Sequence, residues 1–204
     1  MDKVPTLATG LFLAPTSIVA GSVEIGDRTS LWYGSVVRGD ENPVIIGAMT
    51  SIQEKTVITA DCEYTDISID TDGTGGRVTD FKGTVKIGDY VTIEPGCVLR
   101  ACTIEDRVVI GAGSVICEGA QVEQGSIVGP GSLVPPGRLV PAGQLWAGRP
   151  VEFVRELDEH EIQNIEELAQ SNYYRSVDHQ NACYPLEHFT MLHKEAKEAM
   201  EKNL

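Results

Sequence analysis

Metal binding and proton transfer near neutral pH draw first on histidine, and this sequence has four: His160, His179, His188 and His193. All lie beyond residue 150, so residues 1–150 offer no imidazole to a metal or a substrate. Five cysteines without a CxxC pair argue against a thiolate zinc site or a disulfide framework. Cys62 and Cys97 fall on small interior positions of the repeat described below, so free, buried thiols in a reducing compartment are expected. Ser68, Asp70, Asp72 and Gly73 resemble a calcium loop in outline. The first ligand is not acidic, however, and Thr79 stands where a closing glutamate is needed, so a solvated acidic loop is the better reading. Arg38 and Asp40, two residues apart, are charged groups that could serve catalysis.

The elements that would position such groups follow a six-residue period. Every sixth residue from Leu13 is aliphatic: Val19, Ile25, Leu31, Val37, then after a slip Ile46, Ile52 and Ile58. The series resumes at Ile87, Ile93 and Leu99 and, one residue short, runs from Ile104 to Val140. Small residues follow several of them, as in Ile46-Gly47, and small side chains such as Thr29, Ser35, Thr50 and Ser114 stand four positions on. This period fits neither a helix at 3.6 nor an alternating strand at 2.0. It predicts an all-β solenoid: short strands on three flat faces, an aliphatic interior, and a small residue that lets the chain turn each corner. Eighteen hexads predict about six coils with open edges only at the two ends.

Residues 1–150 form this solenoid domain, interrupted by a long acidic loop at 59–86, and residues 151–204 form a helical extension packing on it. Asp158 and Glu161 read as a helix N-terminal capping box. Ile162, Ile165, Leu168 and Ala169 mark one apolar face, and core packing is the default for Tyr173 and Tyr174. Cys183-Tyr184-Pro185 interrupts, and Phe189, Leu192, Ala196, Ala199 and Met200 mark a second helix. The net charge of −14 repels phosphate backbones and anionic lipid, which argues against nucleic-acid binding. No apolar stretch of about 18 residues is present, so no transmembrane segment is expected. The N-terminus carries no arginine before Arg28 and does not look like a cleavable mitochondrial presequence.

The segments VVRGDENPVIIGAMTSIQ (36–53) and LVPAGQLWAGRPVEFVREL (139–157) resemble the gamma-class carbonic anhydrases over roughly residues 10–170. The resemblance implies a left-handed parallel β-helix and a trimer whose zinc ions are each held by three histidines across a subunit interface. Carried over residue by residue, the ligand positions are Thr59, Pro95 and Arg100. Proline has no side-chain donor atom and a guanidinium stays protonated, so no metal, no cofactor and no catalytic residue are expected. Within this family Arg38, Asp40 and Gln53 imply contacts between subunits, Gln53 lying beside the implied ligand positions.

The degenerate ligand set, LRAC, VPPGR and the C-terminal helices resemble the carbonic-anhydrase-like subunits of mitochondrial respiratory complex I. That resemblance implies a non-catalytic, structural role on the matrix side of the inner membrane. Its implied partners are gamma-carbonic-anhydrase paralogues in a heterotrimer and complex I membrane-arm subunits, with the chain peripheral to the membrane. Two other readings stay open: a hexapeptide-repeat enzyme (an acyltransferase or a carbonic anhydrase) and a scaffold module of another assembly.

Overall fold

A strand of two residues cannot satisfy its own backbone, so each hexad finds its hydrogen-bond partners one coil away. In the computed structural model, which describes residues 4–61 and 83–183, Leu13 pairs with Leu31, Leu31 with Ile52, and Ile110 with Val128. The chain winds as a three-faced parallel solenoid. The first face stacks seven parallel strands, from Phe12–Leu13 to Gln144–Gly148, and the antiparallel strand Val151–Glu156 closes it. The other two faces share one continuous sheet, because Ile18–Ile25 and Val36–Ile46 run around a corner from the third face into the second. The three-residue slip in the aliphatic series falls inside Val36–Ile46, where the pairing with Ile18–Ile25 shifts register from Gly21–Gly39 to Val23–Val44 and then continues.

The stack has about seven turns rather than the expected six. Trp146 accounts for part of the difference: it pairs with Val128 and takes the inward position that an aliphatic residue fills in the coils before it. An aromatic residue there closes the end of the interior, and an aliphatic series does not register it. From Ile25 to Val140 the periodic residues are at most 3% exposed. Leu13 and Val19 are only partly covered, because no coil stacks beyond them on those two faces.

The glycines after the aliphatics act through close stacking rather than through turning. A Cβ on Gly47 would lie 2.6 Å from the Gly88 backbone, so the coils approach this closely there only because residue 47 has no Cβ. The left-handed turn comes two residues later, as at Gly113 with φ +68°. The small hydroxyl residues four positions on are buried, and they donate across coils: Thr29 Oγ1 to Gly47 O at 2.8 Å and Thr50 Oγ1 to Gly88 O at 2.8 Å. Each satisfied hydroxyl removes a desolvation cost that would otherwise fall on the core.

One helix, Glu159–Cys183, returns along the first face toward Phe12. It buries Ile165, Ala169, Asn172 and Ser176, and Asn172 Nδ2 donates to Thr92 Oγ1 at 3.3 Å. Its buried stripe is partly polar because the strands beneath present Ser30, Ser51 and Thr92 outward. Leu168 and Tyr174 correct the expectation of an apolar face: they are 38% and 63% exposed, because the helix meets the flat sheet along a narrower line than an ordinary amphipathic stripe. At its far end Tyr33 Oη and His179 Nε2 share a 2.8 Å hydrogen bond, with Phe12 and Trp32 packed on the imidazole. Cys97 and Cys102 are buried and Cys117 half-buried, but Cys183 is exposed at the helix end. Cys62, most of the acidic loop with its calcium-like residues, the second expected helix, His188 and His193 lie outside the described residues.

The capping box forms as read: Glu161 N donates to Asp158 Oδ1 at 2.7 Å and Asp158 N to Glu161 Oε2 at 3.1 Å. Arg155 forks onto the same carboxylate, and with the Asp158 amide it holds the Glu161 carboxyl down at about 2. The folded value lies below the unfolded one, so this contribution is complete above about pH 4.3 and is lost as the pH falls toward 2. In an acid titration of helical circular dichroism, Glu161→Gln is expected to lose the part of the transition between those values that wild type shows. Superimposable acid profiles would mean that the cap does not couple to helix stability.

Candidate functional site: the third face and its two edges

The three faces present different outward side chains. On the first face they lie under the helix. On the second they are Thr6, Glu24, Ile45, Lys86, Thr103, Gln121 and Leu139, a mostly polar row. The third face carries Ile18, Val36, Val57, Val98, Val115 and Leu133, stacked in direct register down the solenoid. Ile18 is 55% exposed and the others are half-buried. A continuous aliphatic row on the outside of a sheet is the kind of surface that marks protein contacts. The signal was present in the sequence: in every third hexad the residue before the interior aliphatic is itself aliphatic.

One edge of this face carries charge. Arg38 pairs in register with Thr59, and Thr59 with Arg100, so the hydroxyl stands between two guanidinium side chains. Arg38 Nε and Nη2 both donate to Asp40 Oδ2, at 2.8 and 2.5 Å, and this pairing pushes the guanidinium pKa up. The two residues expected to reach across subunits therefore also bind each other. Arg100 Nε lies 3.1 Å from Glu118 Oε1 in the next coil. Burial, and then the Glu118 charge, push the neighbouring Cys117 thiol up. Asp61 Oδ1 is buried with no hydrogen-bond partner, close enough to Arg38 to act on its charge. Sequence reading missed Glu118 and Asp61, because only the stacking of coils brings them to this edge.

Pro95 and Gln53 stand at the opposite edge, at the corner leading from the first face. Pro95 is exposed, and its carbonyl accepts from Gly113 N at 2.9 Å. Gln53 lines a small cavity of about 70 Å3 with Trp32, Glu54, Asn172 and Arg175 of the helix. Within one chain the structure thus joins Thr59 to Arg100 and leaves Pro95 apart.

A model of the bacterial transferase hexapeptide (six repeats) matches residues 101–136. A probable carbonic anhydrase of Methanocaldococcus jannaschii is 43% identical over 77% of this chain and 87% of its own length. Gamma carbonic anhydrase-like 1, mitochondrial, of Arabidopsis thaliana is 37% identical over 89% of this chain and 67% of its own. The chain belongs to the gamma carbonic anhydrase family. Arabidopsis gamma carbonic anhydrase 2, mitochondrial, is 36% identical over 83% of this chain, which spans 56% of that relative's length. Among solved structures, a hexapeptide transferase family protein from Anaplasma phagocytophilum superposes with a TM-score of 0.72. It is 33% identical, over 85% of this chain and 92% of its own, and the left-handed hexapeptide β-helix that the family resemblance implied accords with it.

At the ligand positions that the resemblance implies, the residues present do not fit a zinc ion. Thr59 offers a neutral hydroxyl, Pro95 offers no donor, and Arg100 brings a fixed positive charge already paired with Glu118. A guanidinium at the ligand edge repels a divalent cation instead of holding it. Among the described residues no three or more histidine, cysteine, aspartate or glutamate side chains converge on a point.

Proposed function

We propose that this chain is a non-catalytic, structural gamma-carbonic-anhydrase-like subunit that contributes shape and contact surface to a trimer. The observation that carries the reading is the Arg100–Glu118 ion pair at the ligand edge, beside an unbroken aliphatic row on the same face. The surface needed for assembly is kept, and a cation–carboxylate pair occupies the edge where metal chemistry would stand. Mitochondrial gamma carbonic anhydrases and a gamma carbonic anhydrase-like protein among the relatives support placement in mitochondria. In full, the reading is a matrix-side heterotrimer with zinc-competent paralogues, docked on the membrane arm of complex I. Among the described residues no helix is long and apolar enough to cross a membrane, so attachment would run through protein contacts.

Each site in this arrangement takes ligands from two neighbouring chains. A chain that supplies none to either of its interfaces leaves at most one zinc per heterotrimer. Native mass spectrometry with elemental analysis of the assembly isolated from mitochondria is the test. The expected result is one copy of this chain with two paralogues and no more than one zinc. Three copies of this chain alone, two or more zinc ions per trimer, or zinc in the purified chain that survives chelation would overturn the reading in favour of an enzyme. Recovery in an assembly without gamma carbonic anhydrase paralogues would instead favour a scaffold elsewhere.

A further inference from the structure

The C-terminal end of the solenoid holds charged groups that closing the interior does not explain. Arg138 takes the small inward corner position that Ala120 fills one coil earlier, and only the open end gives an arginine room there. Its guanidinium carbon lies 4.9 Å from the Trp146 ring centroid, and its Nε is buried without a hydrogen-bond partner. Phe153 packs edge-on to Trp146 with centroids 6.1 Å apart, and is itself 49% exposed. Gln144 fixes this floor: Trp146 Nε1 donates to Gln144 Oε1 at 2.9 Å, and Gln144 Nε2 donates to Glu156 Oε1 at 3.0 Å. Together with Glu152 these side chains line one cavity of about 510 Å3. Closing the end accounts for Trp146 and the returning strand. It does not account for a guanidinium and two carboxylates that share a cavity, with no ion pair between them among the described residues.

We propose that this cavity binds a small zwitterion in which an oxyanion and an ammonium are separated by a short linker, as in phosphocholine. With Nε buried, the terminal Nη groups of a guanidinium lying over an indole remain to meet a phosphate oxyanion. The exposed ring of Phe153 and the carboxylates of Glu152 and Glu156 suit the ammonium, by cation–π attraction and by charge. A ligand carrying both charges satisfies both sets of groups at once. A simple anion meets the glutamates, and a simple cation meets Arg138. The cavity is large enough for such a ligand.

Titration of the intact chain with phosphocholine, choline and inorganic phosphate, followed by tryptophan fluorescence and calorimetry, tests the assignment. Phosphocholine is expected to bind roughly tenfold or more tightly than either half alone, because a charge-assisted hydrogen bond contributes at least that factor. Arg138→Gln should lower phosphocholine affinity about tenfold and should not weaken choline, from which it removes a repulsion. Glu152→Gln, at an exposed position, should weaken choline and phosphocholine alike. Co-sedimentation with phosphatidylcholine vesicles separates the sources of the headgroup. Vesicle binding lost in both variants assigns a lipid ligand, and binding of soluble phosphocholine alone assigns a free metabolite. No saturable phosphocholine binding, or binding that both folded variants retain at wild-type strength, would overturn the proposal.

Discussion

Placing glutamates in the aliphatic row of the third face, as Val57→Glu with Val98→Glu, is expected to release this chain from its assembly as a folded monomer. Both valines stand outward in register and half-buried, so nothing inside the prism depends on them. In a contact between chains each would lose about 1–2 kcal/mol of apolar burial, and each carboxylate would enter the interface without a partner. A loss of this size corresponds to well over a hundredfold in affinity. Size-exclusion chromatography with light scattering, on tagged chains recovered from the native cell, reads the result. Wild type should elute as an oligomer and the double variant at the mass of one chain, 22.0 kDa, with unchanged circular dichroism. If the variant co-elutes with wild type, the third face is not the assembly surface.

A larger effect is expected inside the prism. Ile110 is fully buried and stacks between Ile93 and Val128. Ile110→Asp places a carboxylate between the aliphatic side chains of Ile93 and Val128, at a cost of several kcal/mol that is comparable to the stability of a whole domain. Soluble, folded protein should be absent. Ile110→Ala leaves a cavity instead and should cost about 2–5 kcal/mol, read as a lowered denaturation midpoint with the far-ultraviolet spectrum retained. The cost is hard to relieve, because a solenoid coil touches only its two neighbours and cannot collapse sideways into the space. An aspartate variant that folds with wild-type circular dichroism would show that residue 110 does not face the interior.

Arg38, Asp40, Thr59, Arg100, Pro95 and Gln53 all came from the sequence, yet their grouping did not. Thr59 and Arg100 are 41 residues apart in the chain and adjacent in the ladder, because one coil and an inserted loop separate them in sequence and one strand spacing separates them in space. Pro95, only five residues from Arg100, lies across the width of the face. Near in sequence is far in space here, since one hexad spans a whole face from corner to corner.

The six-residue period by itself determined the interior and the three-faced winding of this protein. One inward side chain per hexad must be apolar when the only space it can enter is the shared axis, and that requirement is written locally at every repeat. The aliphatic third face left a weaker trace, because aliphatic residues also precede the interior position on the other faces, at Ile45, Val109, Ile127, Leu139 and Leu145. Only the tertiary structure decided which distant side chains share an edge: Glu118 with Arg100, Asp61 near Arg38, and Arg138 over Trp146. Those encounters depend on which coil stacks on which, and the slips of three residues and of one set that register, so their effect accumulates along the chain. The exposure of Tyr174 and Leu168 was decided in the same way. A helix buries what its neighbour's shape allows, and the flat first face with its small hydroxyls admits a narrower stripe than the helix sequence offers.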